Sequence, residues 1–229
     1  MHEGNPFVLI VNNILSKEEC DALINKSEEQ QFELALINIG NGKQTKLTEI
    51  RNNDRTYIDD NILAEQIWSR INKVLPNTIE PRLHYCRSNG ILGIDSSAGN
   101  DDDDDNDDEG NDTWKAVGLN ERLRVLRYDP GTYFAPHEDG AYVRTDKKHP
   151  QYGDRSFITA QIYLNEHFVG GATRMLNPRS HDESEGIDVT PKTGSILLFH
   201  HRIYHEGSIL NERRKYTIRT DVMFTKVKK

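Results

Sequence analysis

From Asn120 onward the chain is cut into short alternating runs, with no helix-length apolar pattern between them. The runs are RLRVLRY, SFITAQIYL, DVT, SILLFH and KYTIRTDVMF, and turn-forming residues separate them: Asp129-Pro130-Gly131, Gly170-Gly171 and Pro191-Lys192-Thr193-Gly194. Period-two alternation puts successive side chains on opposite faces, so each run suits a strand with one face buried. Many short strands with turn punctuation predict an antiparallel sandwich or barrel, read here as a jelly roll.

The first third has a different texture. LSKEECDALINKSEE predicts a capped helix, because Ser16 and Glu19 have capping-box spacing and Cys20, Leu23 and Ile24 share a face. A second helix is predicted over about 61–75, with Asp59 or Asp60 as its cap and Pro76 as its stop. Leu63, Ile67, Ile71 and Val74 give that helix its apolar stripe. Between the two, FELALINIG alternates like a single strand. The expected fold class is therefore mostly β with flanking helices: a double-stranded β-helix (jelly roll) core with N-terminal helical support. The expected organisation is a helix/strand support region over 1–87, an acidic insertion over 88–112 and the jelly-roll core over 113–229.

Charge bears on partners. The formal net charge is −8, yet the stretch DDDDDNDDE at 101–109 holds eight acids, so the remainder is neutral. A self-repelling block of this kind buries nothing and is expected to be a disordered loop; it lacks the spaced D-x-D-x-D-G pattern of a Ca²⁺ loop. A neutral body gives no sign of nucleic acid as a partner. The two cysteines, Cys20 and Cys86, form neither a disulfide framework nor a C-x-x-C knuckle. The apolar run FVLIV is too short for a signal peptide, and no stretch reaches membrane-spanning length, which predicts an intracellular protein, cytoplasmic or nuclear, with no membrane partner.

The stretch YDPGTYFAPHEDG raises the question of a metal. Nine histidines and 37 acids in 229 residues would place H-x-[DE] once or twice by chance, and it occurs twice, at His137-x-Asp139 and His181-x-Glu183. Context separates the pairs. His181 sits in the polar stretch RSHDESEG, whereas His137 follows a β-run, where residues i and i+2 share a face and can reach one ion. A third ligand from another strand would complete the 2-His-1-carboxylate facial triad of non-haem Fe(II) oxygenases. LLFHHRIYHEG offers three candidates, His200, His201 and His205, and strand pattern alone does not choose among them.

Taken together, YDPGTYFAPHED, TAQIYLNEHFVGGAT, DVTPKTGSILLFHHRIYHEG and RKYTIRTDV resemble the prolyl 4-hydroxylase-type Fe(II)/2-oxoglutarate dioxygenases. That family has Y-x-P-G before H-x-D, then Y-L-N, G-G-x-T and a P-x-x-G-x-x-L-x-F strand leading to the distal histidine, with a lysine ten positions later. The resemblance covers residues 120–224 closely and extends loosely to NNILSKEECDALI and NNDRTY. Arg174, after G-G-x-T, and the acidic insertion depart from the family pattern.

The resemblance implies that His137, Asp139 and His205 hold Fe(II), since Lys215 lies ten positions past His205. It implies 2-oxoglutarate as co-substrate, O₂ as oxidant and ascorbate (vitamin C) as reductant. Tyr128 and Tyr163 would donate hydrogen bonds to 2-oxoglutarate, Lys215 would pair with its C5 carboxylate, and Thr217, on the same face, would assist. Arg219 also shares that face; it is either the alternative anchor or serves the substrate or an acid near Asp221. The activity implied is hydroxylation of a C–H bond with release of succinate and CO₂, foremost on a peptidyl proline. The alternatives are a small-molecule substrate with the same chemistry and a non-catalytic binding module of cupin type. Gly170-Gly171 is expected to mark a tight turn and no more, and the polar segment 140–155 either a substrate lid or an ordinary surface loop.

Overall fold

In this computed structural model residues 7–38, 44–74, 113–176 and 186–227 are described. The acidic tract 88–112, Cys86, Pro76 and His181 lie outside them. The elements follow in the order β1 (Val8–Val11), α1 (Lys17–Glu28), β2 (Glu33–Leu34), β3 (Ile37–Asn38), β4 (Gln44–Thr45), β5 (Asp54–Asp59) and α2 (Asn61–Val74). Then come β6 (Thr113–Leu119), β7 (Arg122–Tyr128), β8 (Phe134–His137), β9 (Arg155–Tyr163), β10 (Val169–Gly170) and β11 (Thr173–Met175). The chain continues through β12 (Ile187–Val189), β13 (Ile196–His200), β14 (His205–Gly207), β15 (Leu210–Glu212) and β16 (Lys215–Val227). The fold is mostly β and antiparallel, with two helices among the described residues.

Two sheets make the jelly roll. The larger runs β1-β13-β9-β16-β7-β5-β2, with β6 also paired to β16; the smaller runs β12-β11-β14-β8. Strand alternation sorts side chains to the two sides of the larger sheet. On β13, Ile196 and Leu198 join Cys20, Leu23, Ile67 and Ile71 in the core under the helices. Their neighbours Leu197 and Phe199 pack instead with Met175 of β11 and Val189 of β12, between the sheets. A strand buried on both faces reads as the unbroken apolar run ILLF. On β16, Tyr216 and Ile218 face the helices while Lys215 and Arg219 face the smaller sheet, so the charged residues are turned toward a cavity between the sheets.

The local signals form as the sequence predicts. Ser16 and Glu19 complete a reciprocal capping box on α1, with Glu19 N–H donating to Ser16 Oγ at 3.2 Å and Ser16 N–H to Glu19 Oε2 at 2.8 Å. Of the two candidate caps for α2, Asp60 serves: its Oδ1 accepts from Leu63 N–H at 2.9 Å. FELALINIG differs from expectation. It is two dipeptide strands: β2 pairs with β5, whereas β3 pairs with β4 in a separate hairpin. β2 meets the very start of β5, at Asp54 and Arg55, and the pairing ends after one further bond, from Ala35 N–H to the Asn53 carbonyl at 2.9 Å. The N-terminal region also does more than support, because β1, β2 and β5 are strands of the larger sheet itself. Among the described residues no helix is long and apolar enough to cross a membrane.

Gly194 shows why the turn before β13 needs glycine. Its φ is +76°, and a Cβ there would lie 2.0 Å from the Leu15 carbonyl oxygen. Its own carbonyl accepts from Ile14 and Leu15 N–H at 2.8 and 3.1 Å, tying the lead-in of α1 to the sheet. Gly194→Ala is expected to cost at least about 1–3 kcal/mol of stability through backbone strain alone, read as a lower denaturation midpoint. An unchanged midpoint would mean that the turn relaxes freely.

Candidate metal centre and anion pocket

The bend after β8 and the start of β14 bring three candidate ligands to one point. His205 is paired directly with His137 across the β14–β8 ladder, and Asp139 follows two residues after His137. One ligand atom from each of His137, Asp139 and His205 lies within 4.8 Å of the others. The tautomers follow from the outer ring nitrogens. His137 Nδ1 donates to the Ala135 carbonyl and His205 Nδ1 to the Ile203 carbonyl, each at 2.8 Å, so both Nε2 lone pairs are free for a metal. Phe134 stacks on the His137 ring at 3.5 Å, and Phe199 meets His205 edge-on at 4.6 Å, fixing both rings.

Electrostatics keep these groups in ligand form. Burial would push the Asp139 carboxyl up, but the Arg219 guanidinium and then His137 and His205 outweigh it and hold the acid well below the usual carboxylate range. Burial pushes His205 down to about 4 against the pull of Asp139, which leaves a neutral imidazole at neutral pH. The residues present therefore fit a divalent iron: two imidazoles with their Nε2 atoms turned to the site and one carboxylate, pre-oriented by their outer partners.

The other candidate histidines are placed elsewhere. His200 Nδ1 accepts from Arg202 N–H at 3.1 Å, and its Nε2 is buried without a partner. His201 lies behind Asp139 in a chain of hydrogen bonds. Thr159 Oγ1 donates to Asp139 Oδ2 at 2.6 Å, His201 Nδ1 lies 2.9 Å from Thr159 Oγ1, and Ser156 Oγ lies 2.8 Å from His201 Nε2. Arg219 Nη2 takes the other oxygen, Asp139 Oδ1, at 3.1 Å, and also reaches Asp221 Oδ1 at 3.7 Å.

The second feature is a buried cation without an acid. Lys215 is 2% exposed, and its ammonium donates to the Gly171 carbonyl at 2.5 Å. It sits 5.0 Å from the Tyr128 ring centroid and 5.9 Å from that of Tyr163, and no ion pair to it is present among the described residues. Burial pushes its pKa down to about 7. The β7–β16 ladder sets Tyr128 opposite Lys215, and the β9–β16 ladder sets Tyr163 opposite Thr217. The Tyr163 hydroxyl donates to Thr173 Oγ1 at 2.8 Å, and the buried Thr217 Oγ1 has no partner. A desolvated ammonium, the Tyr128 hydroxyl and an orphaned threonine hydroxyl are groups suited to a carboxylate.

Gly170-Gly171 is more than a turn. Gly171 has φ +65° and supplies the carbonyl that accepts from Lys215; a Cβ there would press on Leu210 at 2.9 Å and on Lys215 itself at 3.4 Å. The expected lid is also tied down at both ends. Tyr142 N–H donates to Ser156 Oγ at 2.8 Å, Arg144 pairs with Glu121, and Asp154 accepts from Thr225 at 2.6 Å. A lid made of the whole segment would have to break these bonds.

Several site residues carried no role in the sequence reading. Thr159 and Gln161 share a face with Tyr163 by strand alternation, and Gln161 Nε2 donates to Thr173 Oγ1 at 2.8 Å. Counting back by two from Tyr163 would have found both. Arg51 has no such signal. It lies 4.3 Å over Phe134 and gives its Nε–H to Asn53 Oδ1 at 2.8 Å, and it lines the same cavity as the triad and Lys215.

Comparison with known proteins bears on this site. Residues 123–220 match the family described as the 2OG-Fe(II) oxygenase superfamily. Over 206 residues the chain is 23% identical to "Probable prolyl 4-hydroxylase 3" of Arabidopsis thaliana, covering 85% of this chain and 58% of that protein. The chain thus spans less than two thirds of this curated relative. Among solved structures it resembles the 2OG complex of a viral collagen prolyl hydroxylase from Paramecium Bursaria Chlorella virus-1 (TM-score 0.52, 19% identity, 95% of this chain and 96% of that one). It also resembles a Trichoplax adhaerens prolyl hydroxylase in complex with a peptide fragment of the hypoxia inducible factor oxygen degradation domain (TM-score 0.54, 17% identity, 94% and 82%). At these identities the structural likeness is one of fold.

Proposed function

Because residues 123–220 form a 2OG-Fe(II) oxygenase domain of prolyl 4-hydroxylase type, we propose that the protein hydroxylates a C–H bond, foremost of a peptidyl proline, with release of succinate and CO₂. The observation that carries the reading is the convergence of two free Nε2 lone pairs and the Asp139 carboxylate beside the buried, acid-free Lys215. Fe(II) held by His137, Asp139 and His205 would supply the oxidative chemistry with 2-oxoglutarate and O₂, while the protein's part is ligation, orientation and exclusion of water.

Each residue's task follows from its surroundings. Lys215 receives the distal carboxylate of 2-oxoglutarate, with Tyr128 and Thr217 donating beside it. Tyr163 is held by Thr173 and orients that end of the cavity. Arg219 is engaged by Asp139 and Asp221, so it steadies the metal's carboxylate and leaves the co-substrate to Lys215. Arg51 brings uncommitted guanidinium donors to the same cavity, suited to the carbonyls of a peptide. Ascorbate would keep the metal reduced between turnovers. The named relatives support the prolyl preference.

The test is anaerobic loading with Fe(II) and 2-oxoglutarate, admission of O₂ and measurement of succinate, followed by proline-containing peptides watched for a gain of about 16 Da, one oxygen atom. Succinate without any peptide product would move the substrate to another class. Tight 2-oxoglutarate binding with no succinate under any condition would leave a binding module.

A further inference from the structure

The hydrogen-bond chain behind Asp139 has a direction, and one residue remote from the metal ligands sets it. At one end is the Tyr142 backbone N–H, which can only donate; at the other is the Asp139 carboxylate, which can only accept. Between them lie Ser156 Oγ, the two nitrogens of His201 and Thr159 Oγ1. The Thr159 hydroxyl has a single proton and two acceptors within reach, Asp139 Oδ2 at 2.6 Å and His201 Nδ1 at 2.9 Å. It can serve Asp139 only if His201 carries its own proton on Nδ1.

Ser156 decides this. Its oxygen accepts from Tyr142 N–H at 2.8 Å, and its own buried proton has no other acceptor among the described residues than His201 Nε2, also at 2.8 Å. An accepting Nε2 puts the ring proton on Nδ1, from where it is donated to Thr159, and the Thr159 proton then goes to the carboxylate. Ser156, Thr159 and His201 are all buried, so water is not there to substitute for a lost bond. Remove the Ser156 hydroxyl, and His201 is free to adopt the opposite tautomer, in which its bare Nδ1 competes with Asp139 for the Thr159 proton.

We infer that Ser156 is a positioning residue of the metal centre, acting through the tautomer of His201 to commit the Thr159 proton to Asp139 Oδ2. The inference rests on the reading of Asp139 as a metal ligand. It also joins the base of the 140–155 segment, through Tyr142, to the carboxylate that holds the metal. Outer partners of a ligand orient it and tune its affinity, and their loss costs about 10- to 100-fold.

The experiment has two independent arms on the full chain. In the first, ¹⁵N-histidine NMR of the metal-free protein reads the His201 ring, identified by its loss in His201→Gln. The expected wild-type pattern is a protonated Nδ1 and a bare Nε2, shifting toward the other tautomer in Ser156→Ala. A wild-type ring protonated on Nε2, or a pattern unchanged in Ser156→Ala, overturns the inference. In the second arm, Mn(II) titration compares Ser156→Ala, Thr159→Val, Thr159→Ser and the Ser156→Ala/Thr159→Val double variant. Thr159→Val is expected to weaken Mn(II) binding about 10- to 100-fold, Thr159→Ser to restore it, and Ser156→Ala to weaken it by a smaller factor. Since Ser156 acts only through the Thr159 proton, the double variant should be no weaker than Thr159→Val alone; additive losses overturn the inference. A wild-type protein that binds no Mn(II) overturns the metal reading instead, and the tautomer arm reads the chain without it.

Discussion

His205→Ala is expected to abolish Fe(II) binding and succinate release together, and His137→Ala and Asp139→Ala to do the same. Losing one of three ligands removes a direct bond to the metal, a larger effect than the roughly 10- to 100-fold that outer partners cost. The two Nε2 atoms and the carboxylate already lie within 4.8 Å of one another, so no other described residue stands ready to replace one of them. His181→Ala and His200→Ala are the controls. His200 Nδ1 is occupied by Arg202 N–H, which leaves its variant with turnover intact. Metal titration and succinate release measured on the same samples check this. Activity retained in His205→Ala with loss in His200→Ala would transfer the third ligand.

The second large effect belongs to Lys215. Lys215→Ala is expected to raise the KM for 2-oxoglutarate roughly ten- to a hundred-fold, as a charge-assisted bond of about 1.5–3 kcal/mol is lost, while metal affinity survives. Arg219→Ala should instead weaken the metal, because its guanidinium rests on Asp139 and not on an open anion site. The pH dependence follows from burial, which pushes Lys215 down from 10.5 to about 7. Only the ammonium form pairs with a carboxylate, so 2-oxoglutarate binding above pH 7 must take up a proton. Affinity is therefore level below about pH 7 and falls as pH rises above it, by up to about tenfold per unit. Stability has the opposite sign. Between about 7 and 10.5 the unfolded chain binds more protons at this position than the folded one, so this group's contribution to stability increases with pH across that window. Isothermal titration with 2-oxoglutarate across pH 6–9 reads the first effect. Level affinity in the wild type, or a slope retained in Lys215→Ala, would assign the anion to another cation.

The contrast between Lys215 and Arg219 shows where sequence reasoning stops. Both are placed on one strand face by period two, and both do point into the cavity. What separates them is company: Arg219 meets Asp139 and Asp221, whereas Lys215 meets a carbonyl and two aromatic rings. Apart from Asp221, on the same strand, those partners come from β7, from β9, from the bend after β8 and from the turn at Gly171, all distant in the chain. Spacing along one strand carries no information about them.

By itself the sequence determined whatever depends on neighbours a few residues apart. Period-two runs and turn residues specify short antiparallel strands, the Ser16/Glu19 pair specifies a helix start, and His137-x-Asp139 puts two ligands on one side of a strand end. Even so, FELALINIG, read as one strand, divides between two ladders, because a strand lasts only as long as the partner beside it. Strand pattern left three histidines open and only the family resemblance pointed to His205; the tertiary structure supplies the physical reason. His205 is the one set opposite His137 by the β14–β8 register, while His201, four residues earlier, is turned behind Asp139. Register between strands some seventy residues apart is a property of the closed sheets, and no local pattern in HHRIYH encodes it.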